Sequence, residues 1–156
     1  MSDNYLLNIH KRVQKLPFSD WLMTRIVANK APYFKTIPTR LEALRPNHVS
    51  CIISKKRRVE NHIGTVHVIA ICNGLELAMG MMAEASIPKH LRWIPKGMDV
   101  QYTAKAGSDI RCVAETDPDA WQPGDLPVRV TAYDDQGTVV VKGTINLWLS
   151  EKPKKH

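Results

Sequence analysis

The chain has 156 residues, 44% of them hydrophobic and 24% charged, with a formal net charge of +7. That length accommodates one domain with a real core and is short for two, and the composition is that of an ordinary soluble protein. The positive balance admits nucleic acid, an anionic membrane or a phosphorylated small ligand, and does not choose among them.

The start, Met1-Ser2-Asp3-Asn4-Tyr5-Leu6-Leu7, lacks the basic opening and apolar core of a secretory signal, so a cytoplasmic location is expected. Residues 5–30 read as helical. Leu6, Ile9, Val13 and Leu16 recur at helical spacing with Lys11, Arg12 and Lys15 between them. Pro17 breaks the pattern, and Ser19-Asp20 suit the cap of a second stretch carrying Trp21, Leu22, Ile26 and Val27. A packing role is preferred to an amphipathic membrane contact, because the stretch is short and interrupted. Pro32 and Pro38 bracket a loop with Tyr33 and Phe34. The whole chain, 1–156, is read as a single domain: a helical extension over 1–36, a core over 37–150 and a basic tail over 151–156.

Two strands come next. Ile37, Leu41 and Ala43 alternate with polar residues, Arg45-Pro46-Asn47-His48 turns the chain, and Val49, Cys51 and Ile53 alternate again. The second strand runs into Lys55-Lys56-Arg57-Arg58, which is either a solvated strand end or a site for phosphates. His48 and His62 stand in no metal-binding spacing, so no metal is expected. Cys51, Cys72 and Cys112 lie in apolar segments without a C-x-x-C pair and read as buried thiols in a reducing compartment.

The stretch Asn61–Glu84 organises the rest. From Thr65 onward it has no proline and only Gly74 and Gly80 as glycines. Val66, Val68, Ile69, Ile71, Leu75, Leu77, Met79, Met81 and Met82 point in every direction around a helix, so the helix belongs inside the fold. Yet it carries His67, Asn73 and Glu76. A carboxylate is rarely buried without a partner or a task, and Glu76 is expected to be buried for acid–base work or paired with a core basic group. A membrane span is set aside, since Glu76, Asn73 and His67 would be costly in lipid and alternating segments follow.

Ser86-Ile87-Pro88-Lys89-His90 reads as an exit loop, followed by four alternating segments. Met98, Val100, Tyr102 and Ala104 mark the first; Ile110, Cys112 and Ala114 the second; Val128, Val130 and Ala132 the third. Val139, Val141, Ile145, Leu147 and Leu149 mark the last and longest. The residues from Asp117 to Asp125 form a polar connection, Asp134-Asp135-Gln136-Gly137 a turn, and 151–156 a frayed basic tail. No repeat or low-complexity segment is present. The expected fold class is α+β: an antiparallel sheet of about six strands wrapped around the long apolar helix.

That order is the hotdog arrangement. Asn61-His62-Ile63-Gly64-Thr65-Val66-His67, followed nine residues later by Glu76, resembles the acyl-CoA thioesterases of the phenylacetate-type hotdog branch. Their pattern is Asn, Gly three residues on, His-Gly-Gly three further, then an acidic residue on the helix. The segment from Met98 to Asp109 resembles their next strand and turn. The N-terminal helix and N-H-x-G-T…E-x-A-x-G resemble a related, uncharacterised hotdog group. The likeness covers about 37–149. It implies that the N–H of Val68, with Ile69, receives a thioester carbonyl, and that Glu76 is general base or nucleophile. Asn61 would orient water or substrate and His67 would hold the loop or thioester. Gly64, Thr65 and Ile69 would shape the substrate loop, with Asn73 supporting Glu76 from the same helical face. Lys55, Lys56, Arg57 and Arg58 would meet coenzyme A, which enters as part of the substrate and not as a cofactor. The resemblance also implies a homo-oligomer with the site at a dimer interface and an acyl-CoA or acyl-carrier-protein thioester as partner; few aromatics interleave with the basic run and no RNA-binding signature is visible, so no nucleic acid is expected. One departure is that the family's two glycines are here Val68 and Ile69, which keep their N–H groups but narrow the approach. The alternative is a non-catalytic hotdog protein that binds acyl thioesters or acts as an interaction module.

Overall fold

The computed structural model describes residues 4–153. Helix α1 spans Tyr5–Val13, and Asn4 caps it by accepting from the Leu7 N–H at 3.1 Å. Helix α2 spans Ser19–Lys30. Ser19-Asp20 therefore lie inside it and do not cap it; the cap position is Phe18, left-handed at φ 58 with no side-chain cap bond. Tyr33 and Phe34, expected in a loop, sit in a 3-10 turn over Pro32–Thr36.

Strands β1 (Thr39–Arg45) and β2 (His48–Ile53) form the hairpin, turned at Asn47 with φ 63. The central helix α3 spans Val68–Ser86. Strands β3 (Leu91–Tyr102), β4 (Ile110–Glu115), β5 (Gly124–Tyr133) and β6 (Val139–Glu151) complete one antiparallel sheet of six strands, ordered β1-β2-β4-β5-β6-β3. The sheet curves around α3, which is the hotdog fold. β3 starts at Leu91, well before Met98, and ends before Ala104. Its early half, Arg92 to Gly97, is mostly exposed and contains Pro95 at a bulge, as an edge strand tolerates. β5 begins at Gly124 and includes Pro127. Pairing with β4 stops at Arg129, so Pro127 is flanked by β6 alone and its missing N–H costs no ladder bond to β4.

The core lies between α3 and the sheet, with Leu75, Leu77, Met79, Met82, Val49, Ile53, Ile110, Cys112, Val128 and Leu147 essentially inaccessible. Gly74 sets how closely α3 lies on β2 and β4. A Cβ there would stand 2.6 Å from Ile53 Cδ1 and 2.9 Å from Cys112 Sγ. α3 is long and apolar enough to cross a membrane, but 61% of that window is buried inside the fold. Of the tail, Glu151 ends β6 and the Lys152 N–H donates to His90 O at 2.8 Å; 154–156 lie outside the described residues.

Candidate functional site

The candidate site has three parts, two at the N-terminus of α3 and one about two turns along it. The first is the loop before it. Asn61 Oδ1 accepts from the N–H of Ile63 (3.2 Å) and of Thr65 (3.1 Å), and its Nδ2 donates to Thr65 Oγ1 at 2.8 Å. The main chain closes the same turn, Asn61 N–H to Thr65 O at 2.9 Å and Gly64 N–H to Asn61 O at 3.1 Å. Gly64 is exposed at φ +76, the left-handed region that favours glycine. The N-x-x-G-T spacing is thus an Asx-type turn, and the Asn61 side chain is committed to it.

The second part is the helix start. The loop is anchored by Val66 N–H to Ala106 O at 2.8 Å and His67 N–H to Val59 O at 2.7 Å. His67 is the N-cap, and its Nδ1 accepts from the Ile69 N–H at 3.1 Å. That bond requires a bare Nδ1, which leaves the proton of the neutral ring on Nε2. Among the described residues the Val68 N–H has no acceptor, so it is available at the positive end of the helix dipole. The Ile69 N–H, expected to share that task, is already engaged.

The third part is Glu76, and here the structure corrects the expectation of burial. Glu76 is exposed and makes no hydrogen bond or ion pair among the described residues. It lies on an open flank of α3 with Ile69 (57% exposed), half-buried Cys72 and half-buried Gly80. Spacings of three and four residues put these on one stripe. The helix is therefore not enclosed on all sides, and of the cysteines only Cys51 and Cys112 are fully buried. Burial raises the Cys72 thiol above the ordinary range. Cys112 is raised well above it, first by its hydrogen bond with Cys51 and then by burial.

Asn73 does not reach Glu76. It is 8% exposed, its Nδ2 donates to Thr36 Oγ1 at 3.1 Å, and its Oδ1 has no partner. Lys55 is held by Glu60 at 2.9 Å, while Lys56, Arg57 and Arg58 are exposed. Arg58 joins Arg25 and Lys35 around a small cavity of about 250 Å³, a cationic cluster that sequence spacing did not reveal because its members come from three separate elements. No group of three or more His, Cys, Asp or Glu able to hold a metal occurs among the described residues.

The model of a family described as a domain of unknown function, DUF4442, matches residues 19–149. A crystal structure from a genomics programme is 40% identical, covers 95% of this chain and 99% of its own, and superposes with a TM-score of 0.83. A Pseudomonas aeruginosa protein described as a probable thioesterase is 23% identical over 88% of this chain and 97% of that one, at a TM-score of 0.76. A thioesterase-family protein from Silicibacter pomeroyi is 19% identical over 83% and 96%, at 0.70. These last two establish likeness of fold. A search of curated proteins found no match.

Proposed function

The chain belongs to the DUF4442 family, and from that premise we propose that it hydrolyses an acyl thioester, of coenzyme A or an acyl-carrier protein, in the cytoplasm. The observation that carries this is the pairing of an unengaged Val68 N–H at a helix N-terminus with an unpartnered Glu76 on the same helix. The N–H would polarise the thioester carbonyl and Glu76 would activate water or attack directly.

Within one chain the two lie eight residues apart, about 12 Å along the axis, too far to act on one carbonyl. A homo-oligomer resolves this. Two copies of α3 laid antiparallel about a two-fold axis at Cys72 set Val68 opposite the partner's Glu76. The surface suits such a neighbour: the flank beside Glu76 is apolar, and β3 is a sheet edge with Ile94 and Tyr102 exposed at 60% and 61%. His67 would fix the cap and Asn61 the loop that holds it. Lys56, Arg57 and Arg58 would meet the anionic nucleotide of coenzyme A; no nucleic acid is invoked. The thioesterase descriptions of the Pseudomonas and Silicibacter proteins agree with this reading.

One observation favours a second reading, a non-catalytic hotdog that binds acyl thioesters: the Ile69 N–H is spent on His67, leaving one donor where two were expected. The test is release of free CoA from short, medium, long and aromatic acyl-CoA substrates. Glu76→Gln is expected to lower turnover by about 10²–10⁴-fold with the thermal melt unchanged. Turnover that survives Glu76→Gln, or no turnover across the panel, rejects hydrolysis at this site.

A further inference from the structure

A cavity of about 740 Å³ lies between α1, α2 and the C-terminal half of α3. Its walls are apolar: Leu6 and Ile9 from α1, Ile26 and Val27 from α2, Leu77 and Met81 from α3. None of Asn61, His67, Val68 and Glu76 lines it, although Gly80, one turn beyond Glu76 on the open flank, does.

The exposed residues of its lining are dominated by one charge. Lys30 and Lys152 stand beside one carboxylate, Glu84. Glu84 is occupied, since Oε1 accepts from Trp93 Nε1 at 2.8 Å. Both lysines are held in place: Lys152 Nζ donates to Lys89 O at 2.8 Å, and Lys30 Nζ sits 4.6 Å above the Tyr5 ring. An apolar chamber opening past fixed cations matches a ligand with an alkyl body and an anionic head.

We propose that this cavity binds a free long-chain carboxylate, with the chain among α1, α2 and α3 and the carboxylate at the lysines. The shape favours a linear chain. The α3 lining runs from Leu77 to Ser86, about 13.5 Å at the helical rise. An extended chain advances roughly 1.2 Å per bond, so about eleven methylenes fill that length. A cationic amphiphile would meet the lysines unfavourably, and a head-less alkane would gain nothing from them.

Isothermal titration of the full chain with butyrate, octanoate, decanoate and dodecanoate, each below its micelle concentration, tests this. Dodecanoate is expected to bind once per chain, with affinity rising about fourfold per methylene from octanoate upward. Butyrate should give no heat. Dodecyltrimethylammonium, with the same tail and the opposite head, should bind more weakly. Lys30→Glu and Lys152→Glu should each weaken dodecanoate about two- to fivefold, an effect that fades with salt. Val27→Trp and Ile26→Trp, on a half-buried wall, fill the chamber and should remove binding; thermal melts establish that at least one stays folded. Failure of dodecanoate to saturate overturns the proposal, as it would if a second copy of the chain covered the opening. So does undiminished binding by a folded tryptophan variant, or equal affinity for the cationic amphiphile.

Discussion

Removing the Asn61 side chain separates two roles for it, holding the loop and touching substrate. Asn61→Ala deletes three hydrogen bonds, those from the Ile63 and Thr65 N–H groups and the one to Thr65 Oγ1. Each is worth about 1 kcal/mol net. Ile63 is exposed and water replaces its bond, while Thr65 is half-buried and keeps most of its loss. The expected destabilisation is therefore about 2 kcal/mol, or roughly 4–8 °C in melting temperature for a chain of this size. Asn61→Asp keeps both acceptor bonds, and the Thr65 hydroxyl can turn to donate to the carboxylate, so its cost should stay under about 0.5 kcal/mol. Urea and thermal denaturation followed by circular dichroism measure both. Turnover should follow the same order, retained in Asn61→Asp and reduced in Asn61→Ala, because the loop is what anchors His67 and Val68. If both variants lose stability equally, or Asn61→Ala melts like the unmodified chain, the side chain does not hold the loop and the reasoning fails. Activity lost in a stable Asn61→Asp would instead return the amide to direct substrate contact.

Gly74→Ala places a Cβ at 2.6 Å from Ile53 Cδ1, so overpacking of about 1–3 kcal/mol should outweigh the gain of about 1 kcal/mol in helix propensity. Ile53→Val removes the nearer of the two clashing atoms, the other being Cys112 Sγ, and a double-mutant cycle lacking favourable coupling would contradict the contact. Cys72 should cross-link to its own copy under mild oxidation, abolished by Cys72→Ser, if the two-fold axis passes through it; a dimer in solution that never cross-links speaks against that axis. Because burial raises this thiol above its ordinary value of 9.0, its thiolate is scarce at neutral pH, and alkylation should keep accelerating beyond pH 9. A rate already flat there would disprove the shift.

The alternation of Val128, Val130 and Ala132, and of Val139 through Leu149, is legible in the sequence because one face is buried and the other wet. The early half of β3 is not: from Arg92 to Gly97 only Trp93 is half-buried, and the bulge between Pro95 and Gly97 interrupts the alternation, so no period is left to read. The open flank of α3 misleads for the opposite reason. Ile69, Cys72 and Gly80 are as apolar as the residues under the sheet, and hydrophobicity records that a surface is to be covered without recording by what. Asn61, Gly64 and Thr65 stand out by spacing, yet their physical role, an Asx turn, depends on bonds that spacing does not contain. The chamber behind α1 has no sequence signature, since it depends on how two short helices lean against a third.

Glu84 reaches in two directions at once. Its carbonyl takes the Nδ2 of Asn4 at 2.7 Å, and its carboxylate takes Trp93 at 2.8 Å. One residue is thus the tie between the N-terminal helix and the outermost strand, elements that are otherwise distant in the chain. Because one bond uses the carbonyl and the other the carboxylate, shortening the side chain would release Trp93 while leaving Asn4 fastened.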